Sequence, residues 1–127
     1  MFDAGDLDAA ERMIDDWQAG IETRAAQARE LSARLSRLSA TARSADRLVT
    51  VTVGASGDLT GLTLDERIRQ RPAQETARAI LATLGQARAT LTAAVTEVTA
   101  GTVGADSETG RAVIASYTAR PAGERNV

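Results

Sequence analysis

Residues 48–64 read LVTVTVGASGDLTGLTL, and their alternation constrains the fold more than any other feature. Val49, Val51 and Val53 point to one face, with Leu48, Thr50 and Thr52 on the other. After a Gly54-Ala55-Ser56-Gly57 loop, Thr60, Leu62 and Leu64 share a face. β-Branched residues at period two on both sides of a short glycine loop predict a β-hairpin. The loop glycines suit a tight turn. A phosphate-cradling loop would need a Gly-Lys-Ser or Gly-Lys-Thr ending at a helix start, and here a strand follows. Gly61 predicts a bulge or a close backbone approach. A lone hairpin is marginal in water, so further strands or a helix must cover its apolar face. Residues 41–45 supply a candidate edge strand, with Asp46-Arg47 as the turn between.

Both flanks read as helical. Leu7, Ala10, Ile14, Trp17, Ile21, Ala28, Leu31, Leu35 and Leu38 recur at intervals of three and four, and Arg24 alone breaks the stripe. A helix over residues 7–39 with a heptad seam follows, on the order of 50 Å long at about 1.5 Å per residue. Asp6 is the predicted N-cap, and Gly20 is read as a tolerated interior glycine. A rod that long cannot be covered by one small domain. Part of its seam is expected to meet another helix, from this chain or a partner.

After the hairpin comes the charged connector DERIRQR, residues 65–71. If extended, it places Arg67, Arg69 and Arg71 on one side, as a solvated loop or as a functional patch. Pro72 fits a helix first turn. Ala77, Ile80, Leu81, Leu84, Ala87, Leu91, Val95 and Val98 continue it at helical spacing. Thr90, Thr92, Thr96 and Thr99 predict fraying after about Val98. Asp106 or Ser107 can cap a last short helix through Tyr117, with Gly110 weakening it. The predicted class is α+β: long helix, small three-stranded antiparallel sheet, second long helix, short C-terminal helix. Residues 1–100 form the predicted domain and 101–127 an extension, with 1–5 and 120–127 expected to be disordered.

Composition narrows the chemistry. Cysteine and histidine are absent, which removes disulfides, Cys/His zinc sites and any Ser-His-Asp triad. The acids lie along helices among arginines, with no paired carboxylates in an apolar setting. No enzyme, cofactor or metal site is expected. No run approaches the length of a membrane span, and residues 1–20 lack a secretory pattern, so a cytoplasmic location is expected. Phe2, Trp17 and Tyr117 are the aromatics, and the apolar content is mostly Ala, Leu and Val. Such small-residue faces leave little for an isolated core, and a homodimer is expected to supply the missing burial.

Charge is segregated within a net of −2. Residues 1–22 hold Asp3, Asp6, Asp8, Glu11, Asp15, Asp16 and Glu22 against Arg12. Residues 23–47 hold Arg24, Arg29, Arg34, Arg37, Arg43 and Arg47 against Glu30 and Asp46. All fifteen basic residues are arginine. That is either the mark of a GC-rich genome or a phosphate-binding set, for which arginine is suited.

The V-T-V-x-G-x-x-G-D-L-x-x-L-x-L pattern of residues 48–64, then Asp65 and the helix opening at Pro72, resembles the YbaB/EbfC family of nucleoid-associated proteins. The likeness covers roughly residues 7–100. It implies a dimer in which the small sheets join and the helices project as arms, binding DNA with little sequence preference. The chain departs from the family where it carries Ala45-Asp46-Arg47 in place of a glycine-rich approach to the hairpin. It also has no Met in residues 101–127. From local charge, the candidate phosphate contacts are Arg29, Arg34, Arg37, Arg43 and Arg47, with Arg67, Arg69 and Arg71 as a second group. Candidate core or dimer positions are Val49, Val51, Val53, Leu62, Leu64, Leu31, Leu35, Leu38, Ile80 and Leu84. The alternative is an interaction or scaffold module of the same architecture without DNA binding, its acidic first helix serving a protein partner.

Overall fold

The valine face of the hairpin lies under a single helix from the second half of the chain. The computed structural model describes residues 4–119. Helix α1 (Ala4–Ser36) leads to strands β1 (Ala40–Arg43), β2 (Val49–Val53) and β3 (Leu59–Leu64). A 3-10 turn (Glu66–Gln70), helix α2 (Ala73–Thr102) and helix α3 (Glu108–Thr118) follow. The three strands form one antiparallel sheet in the order β1-β2-β3. The expected class, strand number and helix order hold. The disorder expected of residues 120–127 and of residues 1–3 falls outside the described residues. Ala4 and Gly5 are helical, so α1 starts before Asp6, which sits in the first turn rather than capping it.

Val49, Val51 and Val53 are completely buried, packed with Ala40, Ala87, Leu91 and Val95. Along α2 the buried positions are Thr83, Ala87, Leu91, Val95 and Thr99, every fourth residue, so one line of the helix faces inward. Helix α2 packs over β1 and β2 but not over β3. The register sets Leu64, Leu62 and Leu59 opposite Val49, Val51 and Val53, with Thr60 as the extra residue of a bulge beside Gly61. The bulge thus brings Leu59, not Thr60, into line with the other two leucines. With no helix above them, Leu62 and Leu64 remain 43% and 41% exposed. As core positions of a single chain they are a correction to the sequence reading. Leu31 is buried, while Leu35, Leu38, Ile80 and Leu84 are half-buried against the core.

The threonine-rich end of α2 does not fray after Val98; the helix continues to Thr102. Thr83, Thr92, Thr96 and Thr102 each donate their hydroxyl to the carbonyl four residues back, which satisfies the side chains inside the helix. Gly104, at φ 89°, closes α2, its N–H donating to the Thr99 carbonyl. Ser107 caps α3 by accepting from the Gly110 N–H. Gly110 is buried against the Gly104 carbonyl, where a Cβ would overlap that oxygen. Helix α3 packs on α2, and the Tyr117 hydroxyl donates to the Ala55 carbonyl at 2.7 Å. The Arg88 Nε donates to the Gly57 carbonyl, so two helices hold the β2–β3 turn.

Candidate nucleic-acid interface

The connector between β3 and α2 is not extended. Residues 66–70 form a 3-10 helix capped by Asp65, whose carboxylate accepts from the Arg67 backbone N–H. At about three residues per turn, Arg67, Arg69 and Arg71 cannot line up on one side. Each instead pairs with a different acid: Arg67 with Asp65 at 3.0 Å, Arg69 with Glu66 at 3.2 Å and Arg71 with Asp46 at 2.7 Å. The single-sided patch expected of an extended segment is therefore corrected to three separate ion pairs.

The β1–β2 turn comes next to this connector. Ser44 donates its N–H to the Val49 carbonyl, and Arg47 its N–H to the Ser44 carbonyl. Asp46 organises the turn, accepting from the Ser44 hydroxyl at 2.7 Å, the Leu48 N–H at 3.0 Å and the Arg71 guanidinium. Those hydrogen bonds, from Ser44 first and Leu48 next, and then the Arg71 charge lower the Asp46 pKa to about 2. Asp65 is likewise lowered, by the Arg67 side chain and then its backbone N–H, and Arg67 is raised in return. Arg47 takes a left-handed φ of 65°, where glycine is the usual occupant. The turn thus holds a cation at a costlier backbone geometry.

On the face of the sheet away from α2, threonines dominate. Thr41 and Thr52 share a hydrogen bond at 2.9 Å, and Arg43 Nε donates to the Thr50 hydroxyl at 3.3 Å. At the turn end, Arg43, Arg47, Thr50, Thr63, Asp65 and Arg67 surround a depression of about 320 Å³ with Leu48 in its lining. Arg43 and Arg47 therefore leave the α1 arginines, with which the sequence had grouped them, and join Arg67. A second basic surface remains on α1. There Arg34 pairs with Glu30 at 2.7 Å, and Arg37 Nε caps the helix by donating to the Ala33 carbonyl at 3.1 Å.

Four of the eight candidate arginines are thus paired with acids: Arg34, Arg67, Arg69 and Arg71. The other four, Arg29, Arg37, Arg43 and Arg47, have no carboxylate partner among the described residues. The sequence reading missed Thr50 and Thr63 as polar neighbours of this cluster, although threonines alternating with valines in β2 were the available signal. The long-range tie from Asp46 to Arg71 had none. Among the described residues no group of three or more acids could hold a metal ion.

A family model, that of the YbaB/EbfC DNA-binding family, matches residues 11–105. The chain belongs to this family. The match runs from the first part of α1 through the sheet to just beyond α2, leaving α3 outside it. The YbaB/EbfC family is a family of DNA binders, not of enzymes, and both arginine clusters fall within the matched residues. No curated protein matches the chain. No helix among the described residues is long and apolar enough to cross a membrane.

Proposed function

We propose that the protein is a nucleoid-associated homodimer that binds DNA through phosphate contacts with little sequence preference. The observation that carries the reading is the convergence of Arg43, Arg47 and Arg67 with two threonine hydroxyls around one open depression. Guanidinium groups and hydroxyls in that arrangement match phosphate oxygens, and phosphate contacts fix position on a duplex without reading its sequence. Arg29 and Arg37, also without acid partners, extend the surface along α1. Exposed ion pairs contribute only about 0–1 kcal/mol, so Arg34, Arg67 and Arg69 can exchange their carboxylates for phosphates at little cost. A net charge of −2 is compatible with this because residues 1–22 hold seven acids against Arg12, which leaves ten acids against fourteen arginines in the rest of the chain. Binding would place the protein in the nucleoid.

The dimer is inferred from β3. It is an edge strand, unpaired on one side, and its leucines line an uncovered apolar face. Two copies joined edge to edge would pair the strands and cover those leucines together. The domain proper is taken as residues 1–100, with 101–127 as its extension.

A mobility-shift series across salt tests the DNA reading. Arg43→Ala combined with Arg47→Gly should weaken binding alike for unrelated duplexes and reduce the salt slope by about 2. Because glycine suits the backbone at position 47, stability should change by less than about 1 kcal/mol, separating charge from fold. Absence of any retardation at low ionic strength would end this reading. Leu62→Asp should convert a dimer to a monomer by solution mass. The exposed acidic half of α1 favours the second reading, an interaction module without DNA binding. Recovery of a stoichiometric protein partner and no nucleic acid would support it.

A further inference from the structure

The apolar stripe on the first half of α1 is uncovered among the described residues, although it is part of the longest such stripe in the sequence. Leu7, Ile14, Trp17 and Ile21 are all exposed, Trp17 to 65%. The stripe is flanked by Asp6, Asp8, Glu11, Asp15, Asp16 and Glu22, against Arg12 alone. α1 is one unbroken helix of 33 residues, so this arm cannot fold back onto the body it leaves. Its charge repels DNA and anionic lipid. Whatever covers it must offer apolar surface with a basic rim.

The chain itself has such a surface. Between the far end of α1 and the end of α2 runs an open groove of about 610 Å³. Ala33, Leu38 and Val98 supply its apolar wall, and Arg34, Arg37 and Glu30 its rim. We propose that the acidic arm of one copy seats in this groove of a second copy, with the two α1 helices antiparallel. Setting Leu7 level with Leu38 brings Ala10 level with the half-buried Leu35 and Trp17 level with the exposed Ala28. In that same register Asp8 lies level with Arg37, Glu11 with Arg34 and Asp16 with Arg29. One like-charged pairing arises, Asp15 with Glu30, and Glu30 is already held by Arg34. The pairing is isologous, so each copy gives an arm and receives one.

This inference rests on the self-association proposed above but not on DNA or on joined sheets. It adds one consequence: the arm occupies arginines that phosphates would otherwise take, so the acidic half of α1 competes with DNA.

Trp17 is the only tryptophan, and it reports the arm directly. Emission and acrylamide quenching of the full chain are measured over concentration, with solution mass in parallel and no nucleic acid present. Trp17 should shift to the blue and become protected as the chain associates. Reversing the arm (Asp8→Arg, Glu11→Arg, Asp16→Arg) should weaken association about tenfold. Reversing the groove (Arg29→Glu, Arg34→Glu, Arg37→Glu) should do the same, and an equimolar mixture of the two variants should regain both mass and protection. These side chains are exposed, and circular dichroism of each variant checks the fold. A dimer whose Trp17 stays solvent-like overturns the arm contact while leaving sheet pairing intact. So does a mixture that fails to recover. A chain that stays monomeric at all concentrations overturns both. Protection that survives Leu62→Asp supports the arm contact as one that needs no joined sheets.

Discussion

The two long helices are near twins in length and in apolar spacing, yet they lead different lives. Helix α2 buries Thr83, Ala87, Leu91, Val95 and Thr99 along a line that crosses β1 and β2. Helix α1 buries Leu31 alone, half-buries Leu35, and leaves Leu7, Ile14, Trp17 and Ile21 in water. The difference teaches that an apolar stripe specifies that something must cover it, not what does. For α2 the cover is the valine face of the sheet. For the arm of α1 no cover lies among the described residues.

The comparison is broken most forcefully by deleting matched side chains on each helix. Leu91, 2% exposed, should lose about 3 kcal/mol of stability as Leu91→Ala, from transfer and cavity together. Trp17→Ala should change the unfolding free energy of the isolated chain by less than about 0.5 kcal/mol. Chemical denaturation at concentrations below association measures both, and equal losses would erase the contrast. Gly110→Ala tests whether α2 owes part of its order to α3. Its Cβ would collide with the Gly104 carbonyl, so a loss of about 2 kcal/mol is expected, with α3 detaching. Hydrogen exchange in residues 108–118 would show that detachment.

Smaller effects sharpen the picture. The Thr99 hydroxyl is buried without a hydrogen-bond partner, unlike the other threonines that back-bond along α2. Thr99→Val keeps the shape and removes the orphan, and should raise stability by about 1 kcal/mol in the same denaturation assay. At the sheet's other end, Asp46 has a carboxyl pKa lowered to about 2 by Ser44, Leu48 and Arg71. A lowered carboxylate supports the fold above its unfolded value of about 3.9 and ceases to as pH falls through the folded one. The amide signals of Ser44 and Leu48 should therefore change between about pH 4 and pH 2, and Asp46→Asn should abolish that titration.

Much of the architecture was legible because it rests on local rules. Alternating valines and threonines, a glycine turn and a proline at a helix start need no knowledge of distant residues. The failures were of another kind. Leu62 and Leu64 alternate as faithfully as the valines, but α2 packs over β1 and β2 and leaves both leucines exposed in the single chain. The arginines of residues 67–71 look like a row, yet a 3-10 turn distributes them and three acids claim them. Gly110 looked like a weakness in α3 and instead permits the approach of the α2 terminus.

By itself, the order of the amino acids determined the elements, the buried valines and the separation of acid from arginine along α1. These follow from backbone periodicity and from charges fixed to neighbouring positions. Tertiary structure alone decided that Arg43 and Arg47 keep company with Arg67, that Asp46 ties to Arg71, and that β3 and the arm of α1 stay uncovered. Those outcomes depend on which surfaces meet across the fold, and packing distances between residues far apart in sequence leave no periodic trace to read.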